Sequence, residues 1–299
     1  MKRFINTIVI LAVCAILAYL TTENNNPDTN SPATADALTV TFIDVGQGDS
    51  ALIETAGGTK LLIDGGEYSA YDEQLAPFLA SRRITTIDYA LASHYHTDHM
   101  GGISELLETE VVSTLIIPKY DDKNQNRERL VAKAKKNSVE ISEICAGDVL
   151  DLGDPNLEIS VLHPLKGGFS QEDENNNSLV LMLKYFDEKF LFTGDLEDDA
   201  EQVLVKNYNL EADVLKVGHH GSSSSTSPKF LAEVDPTYAV IEAGNGNRYG
   251  HPHYEVLSAL ENDDVRIYRT DEDGDITFTV TSKGIESITT ERGAAQNGD

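Results

Sequence analysis

Three imidazoles and one carboxylate crowd into the segment Ser93-His-Tyr-His-Thr-Asp-His99: His94, His96, Asp98 and His99, in a chain with only eight histidines. Neutral imidazole and carboxylate are the side chains that hold divalent first-row metals. The segment directly follows the apolar run Ile87 to Ala92 and directly precedes Gly101-Gly102, so a strand end hands over to a helix start. At a strand end, side chains two apart point to one side, and His94 and His96 converge on one ion. Where the backbone turns into helix, adjacent Asp98 and His99 fan towards a second ion. Two cations in one mouth would lower the pKa of a shared water towards about 7 and make a nucleophile without a protein base. The plain alternative, four solvated loop residues, does not account for this spacing.

Three further strand ends carry metal-compatible side chains beside glycine. Asp195 closes Phe190-Leu-Phe-Thr-Gly-Asp, His219 closes Leu215-Lys-Val-Gly-His, and Asp64 closes Leu61-Leu-Ile-Asp before Gly65-Gly66. Singly, each Asp beside Gly reads equally well as a turn former; together they describe one rim. His220 neighbours His219 and, on a strand, would point the opposite way, to a supporting or packing role. His163, before Pro164, is a further candidate ligand, with a structural strand-end histidine the favoured reading. Asp44 and Asp49 flank a glycine-rich turn and either line the mouth or cap the turn. Ser222 to Thr226 offers hydroxyls and N–H groups before a helix, a phosphate cradle or a simple helix cap. Arg248, His251 and His253 put local positive charge into an acidic chain.

The elements that must position these residues can be read from periodicity. Short β-branched runs (Leu38 to Ile43, Ala51 to Ile53, Lys60 to Ile63) come first. Helical spacing then alternates with strands: helices over Tyr71 to Arg83, Asp98 to Glu108 and Asn124 to Lys136, strands over Ile87 to Ala92 and Thr114 to Ile117. Strands follow around Ile141, Leu150, Ile159, Leu179 and Phe190. After Asp195 come a helix to Asn207, a strand Val214 to Val217, a helix Ser227 to Glu233, a strand Tyr238 to Ile241, a helix Pro252 to Glu261, and a closing hairpin Ile276 to Val280 with Ile285 to Thr290. Two series of strands interleaved with helices make an α/β layered domain over 38–291, with a frayed polar tail over 292–299.

Ahead of the domain, Met1-Lys-Arg and an uncharged apolar run to Leu20 read as a signal peptide or a short anchor, and 21–37 as a flexible linker. Export to the cell envelope or the outside is the expectation, with membrane anchoring through residues 1–20 as one form of it. Cys14 and Cys145 are not a disulfide framework. The formal charge of −27 repels phosphate backbones and works against non-specific adhesion to nucleic acid or anionic membrane. A polyanionic substrate must therefore be drawn in locally.

The Ser-His-Tyr-His-Thr-Asp-His segment, followed by Thr193-Gly-Asp195 and Gly218-His219, resembles the metallo-β-lactamase superfamily. Within it, Phe42-Ile-Asp-Val-Gly-Gln-Gly-Asp-Ser50, Asn175-Asn-Asn-Ser-Leu-Val-Leu181, Val217-Gly-His-His-Gly-Ser222 and Asn247-Arg-Tyr-Gly-His-Pro-His253 are most similar to the extracellular domain of ComEC-type competence proteins. The resemblance runs from about Thr39 to Thr279 and implies a four-layer αββα sandwich with mixed sheets. It implies that His94 and His96 hold a first metal, Asp98 and His99 a second, that Asp195 bridges them, and that His219 completes the second site. Asp64 then orients a histidine ligand. Many relatives place another first-site histidine where this chain has Asn175-Asn176-Asn177, which suits zinc or manganese and also magnesium.

On that basis the chain is expected to be a hydrolase acting through a metal-bridged hydroxide on DNA or another phosphodiester. Asp98, His251 and Asn175 serve as its non-structural catalytic side chains, and no obligate protein partner is expected. Hydrolysis of a small ester, lactone or lactam is the rival enzyme, favoured by the acidity of the chain. A non-catalytic DNA-binding accessory protein is the rival from another class, separated from both by the absence of metal-dependent turnover.

Overall fold

The computed structural model describes residues 37–120, 123–169, 173–293 and 296–297. The expected export segment 1–20 and the linker up to residue 36 lie outside them. In chain order the strands begin with β1 (Leu38–Phe42), β2 (Ala51–Glu54), β3 (Lys60–Ile63), β4 (Ile87–Leu91), β5 (Val112–Pro118), β6 (Glu140–Ile144), β7 (Val149–Leu150) and β8 (Leu157–His163). They continue with β9 (Val180–Tyr185), β10 (Glu188–Phe192), β11 (Val214–Lys216), β12 (Tyr238–Ile241), β13 (Arg266–Arg269), β14 (Ile276–Thr281), β15 (Gly284–Thr290) and β16 (Gln296–Asn297). Two sheets result, in the orders β16-β15-β14-β1-β2-β3-β4-β5-β6 and β13-β12-β11-β10-β9-β8-β7.

Each sheet has an antiparallel part and a parallel part. β3 through β6 pair in parallel, as do β10 through β13. Parallel neighbours need a crossover, and helices supply it: Thr97–Leu106 between β4 and β5, Gln125–Lys136 between β5 and β6, Asp198–Asn207, Pro228–Val234 and Tyr254–Asn262 between the later strands.

The layering follows from strand alternation. Ala51, Ile53, Leu61, Ile63, Phe190 and Phe192 belong to a core between the two sheets, where the Phe42 and Phe192 rings stack with centroids 5.7 Å apart. Their neighbours point the other way. Leu52 and Leu62 pack with Phe78, Ile103, Leu106 and Leu130, and Leu191 and Leu215 pack with Leu204, Phe230 and Leu260. Three buried cores therefore separate four layers, helices outside and sheets inside, and both sheets are mixed, as the resemblance implies.

Three local features differ from the sequence reading. Tyr71–Leu75 is a π-turn between the helical pieces Tyr68–Ala70 and Ala76–Ser81. Arg266–Arg269 is an additional parallel strand beside β12. In the expected tail, Gln296–Asn297 pairs with β15.

Helix Thr97–Leu106, which carries Asp98 and His99, lies backbone to backbone on the turn after β3. A Cβ on Gly102 would stand 2.0 Å from the Gly65 carbonyl oxygen, and one on Gly101 2.4 Å from the Tyr68 nitrogen. Alanine in mid-helix normally gains about 1 kcal/mol over glycine, but overpacking costs about 1–3 kcal/mol or more, and here the obstacle is backbone. Gly102→Ala is expected to lower stability by about 2 kcal/mol in urea unfolding and to weaken metal binding, since the helix must lift away.

Candidate metal centre

Side chains from four strand ends of both sheets meet at one end of the sandwich. After β3, Asp64 takes a left-handed backbone (φ 57°), which Asp tolerates. After β4 the chain delivers Ser93 and His94, and His96 stands at the N-terminal boundary of helix Thr97–Leu106. Thr193-Gly194-Asp195 follows β10, and Gly218 to Gly221 follows β11.

Two sets of ligand atoms result, each with all its members within 4.8 Å of one another: His94, His96 and Asp195, and Asp49, His99, Asp195 and His220. Asp195 is common to both. Its Oδ1 lies 3.1 Å from His99 Nε2 and 3.6 Å from His220 Nε2, and its Oδ2 lies 3.9 Å from His94 Nε2. Asp98 Oδ2 is 3.5 Å from His220 Nε2. Beneath this layer, the far ring nitrogens are held: His99 Nδ1 sits 2.9 Å from Asp64 Oδ2, and His220 Nδ1 donates to the Glu242 carbonyl at 2.9 Å with Asp49 Oδ1 beside it at 3.0 Å. The other Asp64 oxygen accepts a hydrogen bond from the Ser93 backbone N–H at 2.7 Å.

The residues fit divalent cations. His94 Nε2, His99 Nε2, His220 Nε2 and Asp195 Oδ1 are all buried without a hydrogen-bond partner. Three such nitrogens converging on a shared carboxylate is an arrangement a protein interior does not keep without another occupant. Electrostatics agree. Burial pushes the His94 imidazole well below its usual range, so it stands neutral and ready to ligate. Burial alone would also depress His99 and His220, but the surrounding carboxylates, Asp195 first, together outweigh it. His99 rises well above its ordinary value, with help from Asp64 and Asp49, and His220 rises to about 10. Asp195 in turn is held well below the usual carboxylate range against its own burial, chiefly by His220 and His99. A cation would take over the charge balance that the two imidazolium protons provide.

Residues 43–244 match the Metallo-beta-lactamase superfamily. The chain belongs to it. It is 36% identical over 256 residues to ComE operon protein 3 of Bacillus subtilis, covering 80% of this chain and 32% of that protein. It is 30% identical over 250 residues to Competence protein ComA of Neisseria gonorrhoeae, covering 83% of this chain and 33% of that one. The chain thus spans about a third of the length of these relatives. Among solved structures, the metallo-beta-lactamase fold protein YhfI of Bacillus subtilis aligns with a TM-score of 0.50 at 14% identity, over 77% of this chain and 95% of that one. That likeness concerns the fold.

Against the ligand set implied by sequence, the structure brings His94, His96, Asp98, His99 and Asp195 together, and differs at the Gly218-His-His-Gly221 turn. His220, with 1% of its surface exposed, is the histidine in the buried second set. His219 lies on the rim, its Nε2 3.7 Å from Asp195 Oδ2 and its Nδ1 3.1 Å from Glu197 Oε1. The rule of alternation fails because both residues are left-handed (φ 48° and 55°), so no strand separates their directions. His219 thus faces the oxygen that His94 faces.

The remaining candidates sort by their partners. Asn175 lines the cleft, but its amide nitrogen faces Glu197 Oε1 at 3.4 Å while its Oδ1 is buried without a partner. Asn177 Oδ1 accepts from the Phe169 N–H and so braces its loop. His251 also lines the cleft. Burial, then His220, His219 and His253, lower it to about 4, so it is neutral near pH 7 and the local positive charge expected of it rests on Arg248. The serine loop is not a phosphate cradle: the N–H groups of residues 222–227 donate to His219 O, His253 Nδ1, Ser222 Oγ, Ser222 O and the Glu201 carboxylate. Asp44 is turned away to Arg292.

Lys216 and Glu242 were not singled out by sequence, although each interrupts an apolar strand, Val214-Leu-Lys-Val217 and Tyr238-Ala-Val-Ile-Glu242. Such an intrusion is the signal of a buried pair. Lys216 Nζ, 2% exposed, lies 2.8 Å from Asp49 Oδ2. Burial and the Asp49 charge raise Glu242 well above its ordinary value, and it accepts from the Ser50 N–H at 2.8 Å.

His163 is structural. It is buried, with Nε2 2.9 Å from Asn176 O, and burial lowers its pKa. A lowered folded pKa favours the native state above the unfolded value near 6.5, and that contribution is lost as pH falls through the folded pKa. Urea unfolding of wild type and His163→Phe is therefore expected to show the wild type losing more stability than the variant between pH 7 and pH 5.

Proposed function

We propose that this chain is a hydrolase of the cell envelope or exterior that holds two divalent cations, zinc or manganese, and cleaves phosphodiester bonds, with DNA the favoured substrate. The observation that carries the reading is the set of unpartnered buried atoms around Asp195, which opens into a cleft of about 450 Å³ lined by Asp98, Asn175, Arg248 and His251. The relative named Competence protein ComA, and Recombination protein 2 of Haemophilus influenzae at 29% identity over 225 residues, support a substrate of nucleic acid.

His94, His96 and Asp195 would hold one cation, with His219 beside them, and His99, Asp195 and His220 the other, with Asp98 beside His220 on the cleft side and Asp49 behind the ring. When bound, the pair supplies an acidified water and offsets charge on the phosphate. The chain's own residues do the rest. Asp49 and Asp64 fix the rings of His220 and His99, so the ligating nitrogens are presented without reorganisation. Asp98, which reaches the cleft, accepts a hydrogen bond from the attacking water and aims it. Neutral His251 offers one N–H to the oxygen that gathers charge, and Asn175 places an acceptor on the opposite wall. Arg248 draws the anionic substrate towards an otherwise acidic rim.

The test is a supercoiled plasmid and a chromogenic phosphodiester incubated with the protein, with and without manganese, beside a chromogenic ester and a lactam. Manganese-dependent turnover of the phosphodiesters, lost in His96→Ala, is expected. Turnover confined to the ester or lactam would replace the reading with the rival hydrolase.

A further inference from the structure

The loop Asn247 to His253 carries a feature that metal chemistry does not use. Tyr249 is 49% exposed, and its ring stacks on His251 with centroids 5.6 Å apart and planes inclined by 20°. His251 in turn lies 5.5 Å from the His219 ring. On the outside, the Arg248 guanidinium carbon stands 4.9 Å from the Tyr249 ring centre. A run of ring contacts, face to face from Tyr249 to His251 and edge-on from His251 to His219, therefore leads from the metal-ligating cluster to the solvent.

The loop that bears it is braced. Asn247 Oδ1 accepts from the N–H groups of Tyr249 and His251 at 3.1 and 3.0 Å, and its amide donates to the carbonyl of Gly244. His253 accepts from the Ser223 N–H and reaches the Tyr249 carbonyl at 3.2 Å. An aromatic residue left half open yet held in place so firmly is suited to receive another planar group at low entropic cost.

Charge decides which form of substrate suits it. Among the described residues lining the cleft, Arg248 is the one cation other than histidine, and Glu67 lines the same cleft. With the chain at −27, a duplex would bring its second strand of phosphates against an acidic surface and gain one arginine contact. A single strand gains the same contact and, in addition, base stacking, about 1–3 kcal/mol per base.

Resting on the phosphodiesterase reading, we propose that Arg248 and Tyr249 form a platform for an unpaired nucleobase next to the scissile phosphate, and that the substrate is single-stranded or frayed nucleic acid. Arg248 leaves the outer face of the Tyr249 ring for the neighbouring phosphate, and the base takes its place on that face.

The experiment uses the metal-loaded full chain and fluorescein-labelled 12-nucleotide strands with phosphorothioate linkages, followed by anisotropy, with cleavage of the ordinary phosphodiester strand run in parallel. Three probes are compared: an intact strand, the same strand with abasic sites throughout, and a blunt duplex. Wild type is expected to bind the intact strand about tenfold or more tighter than the abasic one, as one stacked base at about 1.4 kcal/mol implies. It should also prefer the single strand to the duplex. Tyr249→Ala should erase the intact-to-abasic ratio and Tyr249→Phe keep it. Arg248→Gln should flatten the dependence of log Kd on log salt by about 0.7, the loss of one phosphate contact on a single strand.

Cleavage with an unchanged intact-to-abasic ratio in Tyr249→Ala, or with a preference for the duplex, would overturn the platform and leave the phosphodiesterase reading standing. Neither binding nor cleavage of any strand by the metal-loaded wild type would overturn both.

Discussion

Asp195→Asn is expected to lower phosphodiester turnover about 10³-fold, because the cations it would hold are what offset the transition-state charge, and to weaken the binding of both cations. The reason is geometric. One carboxylate faces two clusters, Oδ1 towards His99 and His220 and Oδ2 towards His94 and His219. An amide keeps one acceptor oxygen and loses the charge, so neither cluster retains a complete set. His219→Ala, by contrast, removes a rim residue with 24% of its side chain exposed, and is expected to act on the first site alone. Metal analysis after dialysis, together with kcat and KM, separates the two. A loss confined to one ion in Asp195→Asn would mean that the carboxylate is not shared.

Lys216→Met is expected to destabilise the fold by about 3–5 kcal/mol, the cost of leaving a buried partner charge uncompensated. Lys216 Nζ donates to the Val217 carbonyl at 2.8 Å and pairs with Asp49 at the same distance. Burial favours the neutral acid at Asp49, yet Lys216 first, then His220 and His99, hold its pKa below the ordinary value. Without the lysine, an anion stays buried with one stabilising charge fewer. The double variant Lys216→Met with Asp49→Asn should recover most of the stability, because both charges leave together. It should still bind metal about 10–100-fold more weakly, since the ring of His220 has lost the carboxylate that orients it. Urea unfolding of the single and double variants measures the first effect and metal titration the second. A double variant as unstable as the single one would mean that the pair is not what holds this corner.

Most of the architecture was legible because its signals are local. Short apolar runs bounded by turn residues, as at Ala51 to Ile53 and Phe190 to Phe192, and helical spacing in Gln125–Lys136, each follow from which neighbours a side chain must avoid in water. Arg266–Arg269 was not read as a strand. Its flanking arginines look like surface loop, and only the parallel pairing with β12 makes it extended. The site divides in the same way. The His94 to His99 cluster shows in spacing alone, and Asp195 through its place at a strand end. The choice between His219 and His220 did not show, because it depends on two consecutive left-handed residues, and non-glycine residues seldom enter that region. Lys216, Asp49 and Glu242 come from three distant segments and acquire their roles only when the two sheets are stacked.

Titration of metal-free protein with manganese, counting bound ions per chain while following turnover of a chromogenic phosphodiester, tests the binuclear phosphodiesterase account most directly. It predicts two ions per chain and turnover that rises with the second. Saturation at one ion, or two ions bound with no phosphodiester hydrolysed, would contradict it.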